Sequence, residues 1–336
     1  MLTYTLRRLL GAIPTLLFIA LVIFLILDLA PGDPLANQPL TIPVEVRNAM
    51  RAAMGMDQPI WTRFGLWLYQ FFVVEPSVLI DHIFGTDWSA GQQRIISWQF
   101  RGAPVMDVIV QRIPQTLWVV GSAYLLGVAL AVPIGIVSAT RQYSAVDQAG
   151  GFVSMVGFSV PTFFTGNLLI MIFAVKLGWF PMVYDTRLVV NDWASLLAQL
   201  RQMAMPVFVL TLFNASQISR YMRAAMLDNL TQDYVRTARA KGMTERVVVL
   251  RHVLRNSLIP VVTVIALGVP TVFGGAIITE QVFRVNGLGQ LLITAINGSD
   301  IPMVQTLTFI FAVLIVLFNL IADILYGILD PRIRYD

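Results

Sequence analysis

The 336-residue sequence contains no cysteine and only two histidines, His82 and His252. Without cysteine there is no disulfide, thiolate metal ligand or thiol nucleophile, and two histidines cannot build a multi-histidine metal centre. Lysine is equally scarce: Lys176 precedes Leu177 and Lys241 precedes Gly242, so neither stands in the Gly-Lys-Ser/Thr of a phosphate-binding loop. The chain cannot hydrolyse ATP by that route. Charged residues make up 12% of the chain, against about 25% in soluble domains, whereas 57% of the residues are hydrophobic and 20 are Phe. This composition is that of a polytopic membrane protein, and the +4 net charge then marks loops on the cytoplasmic side rather than a nucleic-acid surface.

Apolar runs of about 20 residues, the length that crosses roughly 30 Å of hydrocarbon, predict six spans near 9–29, 113–138, 150–175, 204–224, 257–279 and 304–328. The first run follows Arg7 and Arg8 but is too long for the apolar core of a signal peptide, so it reads as an anchor. Six spans put both ends on one side. With the N-terminus inside, that side holds Arg7, Arg8, Arg141, Arg220, Arg223, the six basic residues of 233–260, Arg332 and Arg334, while the short outer loops hold only Lys176, Arg187, Arg201 and Arg284. Residues 31–112, with Trp61, Trp67, Trp88 and Trp98 among polar neighbours, then form a small extracytoplasmic cap. The expected organisation is an anchor span over 1–30, the cap over 31–112, a five-span core over 113–328 and a cytoplasmic tail over 329–336. Pro133, Pro161 and Pro270 are expected to kink spans, and Gly274 and Gly275 to admit a close backbone approach.

The basic residues are unevenly spread. Residues 233–260, "DYVRTARAKGMTERVVVLRHVLRNSLIP", hold six of the 23 Lys and Arg. Thr231 is placed to cap a short helix with Asp233 in its first turn and with Tyr234 and Ala238 on one face. Gly242 suits the left-handed position that ends such a helix. Thr244 is placed to cap a second helix with Glu245 near its start and Val247, Leu250 and Leu254 on one face. Two readings of this element compete on these features: a basic helix lying on anionic lipid, and a docking element for a cytoplasmic partner. A DNA-binding helix-turn-helix is excluded in practice by its position against the bilayer.

At these residues the sequence resembles the inner-membrane permeases of the dipeptide, oligopeptide and nickel ABC importers. The run from Asp233 to Gly242 with "LRHVLRNSLIP" at 250–260 is similar to their coupling loop. Further similarities cover almost the whole chain: "LRRLLGAIPTLLFI" leading to "LAPGDP" at 29–34, "QRIPQTL" at 111–117, "GFSVPTFFTGNLLI" at 157–170, "GGAIITEQVF" and "GLGQLL" within 274–292, and "GILDPRIR" at 327–334. The resemblance implies an all-α membrane protein with the six-helix type I ABC importer permease fold and a cytoplasmic coupling helix-turn-helix at 229–256. It implies that Asp233, Tyr234, Arg236, Ala238, Arg239, Lys241, Gly242, Arg246 and Arg251 meet an ATPase. The implied partners are a homologous second permease, two cytoplasmic ATPases that carry ATP and Mg²⁺, an extracytoplasmic binding protein and membrane lipid, all at a bacterial inner membrane. Arg236, Thr237 and Ala238 stand where the broader permease pattern has Glu-Ala-Ala, and Arg255 where it ends in Pro, as in the peptide branch.

Asn167, Thr211, Asn214, Ser216, Gln217 and Asn319 are the polar candidates within the spans, with Asn167, Asn214 and Gln217 preferred as path residues. Interhelical hydrogen bonding is the competing use of each. Asp323, near the inner interface, reads as structural. Beyond the fifth span, Glu280, Phe283, Gly287 and Gly289 are implied by the resemblance to form an outer gate; the family's Pro before the first of these glycines is Asn286 here, and "SDIP" stands at 299–302. No catalytic or metal-binding residue is assigned. A secondary transporter or channel remains the alternative, although inverted repeats and buried ionisable residues are not evident. An intramembrane hydrolase lacks its motifs.

Overall fold

The computed structural model describes residues 2–29, 43, 45, 56–100, 102–273 and 276–329. Residues 30–34, Gly274 and Gly275, and the tail with Arg332 and Arg334 therefore lie outside the described residues. Those described are overwhelmingly helical, with one isolated β-bridge between Ile96 and Pro104.

Among the described residues, five helical stretches are long and apolar enough to cross a membrane: Thr5–Leu29, Val105–Thr140, Trp193–Leu230, Glu245–Phe273 and Ile301–Leu325. The third expected span, 150–175, is not one straight rod. It consists of Ala145–Ser159 and Thr162–Lys176, bent by 100°. The break falls where Pro161 forces the preceding Val160 out of helical geometry, to φ −80° and ψ 124°. The fifth span also ends sooner than the expected 279, at Phe273, and a separate short helix follows from Ile277.

Among the described residues the helices whose bounds are defined are, in chain order, α1 (Leu2–Leu29), α2 (Ile60–Tyr69), α3 (Glu75–Phe84), α4 (Val105–Thr116), α5 (Ser122–Thr140), α6 (Ala145–Ser159), α7 (Thr162–Leu169), α8 (Trp193–Leu230), α9 (Asp233–Ala240), α10 (Glu245–Val247), α11 (Leu254–Phe273), α12 (Ile277–Phe283), α13 (Leu288–Asn297) and α14 (Ile301–Leu329). Single π-helical turns join α2 to α3, α4 to α5, and α10 to α11. The chain divides into two compact units, one of residues 1–10, 114–290 and 314–336, the other of 11–113 and 291–313.

The core of the first unit is α5 packed on α8. A residue with a small side chain recurs every fourth position along α5, at Ala123, Gly127, Ala131, Gly135 and Ala139, and all five are buried. Small side chains let membrane helices approach closely, gaining dispersion contacts that lipid cannot match. At Gly135 a Cβ would lie 2.5 Å from the Cβ of Met222, so only hydrogen fits there. The α8 helix begins in a capping box between Asp192 and Ser195. Ser154 on α6 meets Ser219 on α8 at 3.2 Å, and the Arg223 guanidinium grips the buried Asp147 carboxylate at 2.8 and 2.9 Å. Asp323 pairs with Arg8 at 2.5 Å, a structural use.

In the second unit, Phe64, Trp67 and Phe71 on and just beyond α2 pack against Phe24 of α1 and Phe309 of α14. Arg94 bridges Glu75 and Asp107, at 2.8 Å to each. The buried Asp300 carboxylate accepts from Ser97, from the Trp98 and Gln99 N–H groups at 3.2 Å, and from the Met303 N–H at 3.3 Å at the start of α14.

Candidate functional site

The basic stretch forms two short helices joined at Gly242. Gly242 has φ +75°, the left-handed conformation expected of it. Its N–H donates to Arg239 O at 2.9 Å and that of Met243 to Ala238 O at 3.4 Å, the paired bonds of a Schellman motif. Across this turn Arg239 makes two hydrogen bonds to Glu245, at 2.7 and 3.1 Å, which fix the angle between the helices. The Glu245 carboxylate holds the Arg239 pKa above the usual arginine value, against the effect of burial.

The faces differ from expectation in three places. Thr231 closes α8 instead of capping α9; its hydroxyl donates to Asp228 O at 3.0 Å, and Gln232 holds the N-cap position. The buried face of α9 carries Val235 and Ala238, whereas Tyr234 is exposed and its hydroxyl donates to Asn229 at 2.6 Å. The Tyr234 hydroxyl finds its partner at the surface, and Val235 takes the core position. In the second helix Val248, Val249 and Val253 are buried while Val247 and Leu250 are exposed. The π turn over Val248–Val253 inserts one residue and rotates the face. Thr244 occupies the N-cap position without a side-chain bond.

Val235, Ala238, Val248, Val249 and Val253 pack with Met222, Met226 and Ala131 in one apolar cluster. The element is therefore rooted in the helical core, and displacement of α9 bears on α5 and α8. Its outward surface carries Asp233, Tyr234, Arg236, Arg239, Lys241, Gly242, Arg246 and Arg251, all exposed.

The structure brings three of the four expected gate residues, Glu280, Gly287 and Gly289, together, and packs Phe283 against α7. Glu280 on α12 is fully buried; it accepts from the Gln290 N–H at 2.9 Å and from the Thr116 hydroxyl at 3.0 Å. Thr116 in turn accepts from the Leu288 N–H at 2.8 Å. One carboxylate and one hydroxyl thus hold the turn that enters α13. Gly287 and Gly289 lie directly on this pair: a Cβ on Gly287 would reach the Glu280 carboxylate and come within 2.5 Å of Thr116 Oγ1, and one on Gly289 would lie 2.8 Å from Ile277 Cα. Phe283 is buried, and its ring is 3.1 Å from where a Cβ on Gly166 of α7 would stand. Thr116 is the residue that sequence reasoning missed. Its signal was the "QRIPQTL" run, which carried no assigned role.

Burial pushes the Glu280 carboxyl above the usual glutamate range, outweighing the hydrogen bonds it accepts from Gln290, Thr116 and Gly289. A raised folded-state pKa means that its contribution to stability is complete below the unfolded glutamate pKa, about 4.3, and is lost as pH rises through the folded value. The melting temperature of the purified protein is expected to fall over that interval, and Glu280→Gln to flatten the fall. Equal pH slopes in the two proteins would remove Glu280 as its source.

The path candidates are dispersed. Asn167 is exposed on α7, Asn214 and Gln217 are half-buried on α8, and Asn319 is exposed on α14. No hydrogen bond joins Asn167 to Asn214 or Gln217 among the described residues. Thr211 donates to Ala123 O at 3.2 Å, and Ser216 sits against Gly157, so both serve helix packing.

A family described as "Binding-protein-dependent transport system inner membrane component" matches residues 131–335, and its N-terminal companion matches residues 1–120. An oligopeptide transport system permease protein, AppB, of Bacillus subtilis is 37% identical over the full length of both chains. A glutathione transport system permease protein, GsiC, of Salmonella choleraesuis is 36% identical, again over both full lengths. A putative peptide permease protein of Brucella suis is 35% identical over 99% of each chain.

Proposed function

Because the chain belongs to the family of binding-protein-dependent transport system inner membrane components, the membrane-spanning permeases of ABC importers, we propose that it works as half of a two-permease path. The second half is a homologous permease, and two cytoplasmic ATPases supply ATP and Mg²⁺. An extracytoplasmic binding protein delivers the solute, a peptide or a small molecule of related chemistry, as the names of the relatives suggest. The proposed setting is a bacterial inner membrane with both termini cytoplasmic, and no nucleic acid takes part.

The observation that carries this reading is the element at Gly242. It is rigid, basic on its outward surface and rooted in the core by Val235 and Val248. A flexible basic tail would bind anionic lipid equally well but would transmit no displacement. On this reading, closure of the ATPase pair pushes α9, and the Met222 and Val253 contacts carry the movement to α8 and α11. Glu280 and Thr116 hold the turn into α13 at the other end, where the binding protein releases its load.

Arg246 provides the cleanest test, because Arg239 is engaged internally with Glu245 whereas Arg246 is exposed and makes no ion pair among the described residues. Arg246→Glu is expected to leave membrane insertion and the second permease in place and to reduce the ATPase that copurifies. Undiminished ATPase together with undiminished substrate-stimulated hydrolysis would return the stretch to lipid.

A further inference from the structure

Composition places residues 60–84 in the segment outside the spans, yet Arg63, Glu75 and Asp81 are the only Lys, Arg, Asp or Glu among them. Each has an internal partner. Arg63 pairs with Asp28, and Glu75 with Arg94 at 2.8 Å. Asp81 accepts from the Thr86 hydroxyl at 2.5 Å, the Trp88 N–H at 2.9 Å and the Ser89 N–H at 2.7 Å. Apart from Thr62, Tyr69 and His82, what faces outward is apolar: Leu66, Phe72, Val73, Leu79, Ile83 and Phe84 are 47% to 74% exposed. An aqueous cap would leave these side chains in water and its charges pointing out, the reverse of what is seen.

The depth of this helical segment follows from its contacts with the two spans in the same unit. Trp67 and Phe71 pack on Phe309, eight residues into α14 from Ile301, which at 1.5 Å per residue is about 12 Å along the helix. The Ile301–Leu325 span has 25 residues, about 37 Å, and so exceeds a hydrocarbon core of roughly 30 Å by about 7 Å. Even with all of that excess at the Ile301 end, Phe309 lies about 5 Å below the surface of the hydrocarbon. Phe64 meets Phe24, five residues or about 8 Å along α1 from Leu29, which on the same reckoning lies at or below the surface of the hydrocarbon. Trp61 and Trp88, 64% and 69% exposed, flank the segment as interfacial tryptophans do.

We propose that α2, its π turn and α3 lie immersed in the bilayer leaflet at the Leu29 end of α1, as a membrane element that enters without crossing and presents Phe72, Leu79 and Ile83 to lipid. That leaflet is the extracytoplasmic one if the proposed orientation holds. The segment then belongs to the lipid-facing surface of α1 and α14, continuous with it through the Phe24 and Phe309 contacts.

The absence of cysteine makes the test simple. Single cysteines at Phe72, Leu79, Ile83 and the exposed Gln92 are spin-labelled in the assembled transporter, in vesicles of phosphatidylethanolamine and phosphatidylglycerol. Collisions are measured with oxygen, which partitions into lipid, and with a water-soluble nickel chelate. Positions 72, 79 and 83 are expected to favour oxygen and to lose contact with nickel, whereas 92 favours nickel. Nickel contact at 72, 79 and 83 would show a hydrated cap, and protection from both reagents would show a covering protein; either result overturns the proposal. Labelling of the Gln92→Cys variant by an impermeant maleimide on intact cells reads orientation separately, so a reversed topology would be distinguished from a failure to embed.

Discussion

Gly242→Val is expected to give a permease that inserts and keeps its second permease but loses its ATPases on purification. The site has open space, with no atom within 4 Å of where a Cβ would stand, so the effect comes from the backbone alone. At φ +75° a β-branched residue is strained by about 1–2 kcal/mol. That is too little to unfold a membrane bundle. It is enough to open the Schellman turn and pull Arg239 from Glu245, so the outward basic surface changes shape. Gly242→Asn, which tolerates the left-handed region, is expected to retain more ATPase than the valine variant. Equal retention by both would mean that conformation at 242 is irrelevant, and wild-type retention by valine would mean that this turn is not a docking surface.

Gly287→Ala is expected to abolish transport while leaving the ATPases attached, the opposite partition. Its methyl group has to displace either the Glu280 carboxylate or the Thr116 hydroxyl, both held by hydrogen bonds. Overpacking costs about 1–3 kcal/mol, and a buried acceptor or donor left unmade costs about 1–3 kcal/mol. With Thr116 displaced, the Leu288 N–H loses its acceptor and the start of α13 comes free. Hydrolysis by the complex should then no longer respond to loaded binding protein. Preserved uptake in this variant would show that the turn is not part of the gate.

Much of this was legible because it rests on residue types with few alternatives. Gly242 after a basic helix, and a buried carboxylate beside two glycines, each have one economical conformation. The 100° break was half legible: Pro161 marks the place, but nothing local sets the angle. The π turn at 248–253 left no trace in the sequence, and it moved the buried face from Val247 and Leu250 to Val248, Val249 and Val253. The stripe from Ala123 to Ala139 was readable at every fourth residue, yet the predicted span drew attention to hydrophobicity rather than to size. Residues 60–84 fell short of an uninterrupted apolar run because Arg63, Glu75 and Asp81 look exposed until their partners are known, and those of Arg63 and Glu75 are distant in sequence. Pairing over long separations is what a single sequence hides.

ATP-driven import is tested most directly by the source of energy for transport. Vesicles containing the assembled transporter, loaded binding protein on one side and ATP with Mg²⁺ on the ATPase side, are assayed for uptake of the solute that the binding protein carries. Uptake is expected only with hydrolysable ATP, and it should vanish with a non-hydrolysable analogue even when ion gradients are imposed. Uptake that proceeds without ATP on an imposed ion gradient would contradict it and make the chain a secondary transporter.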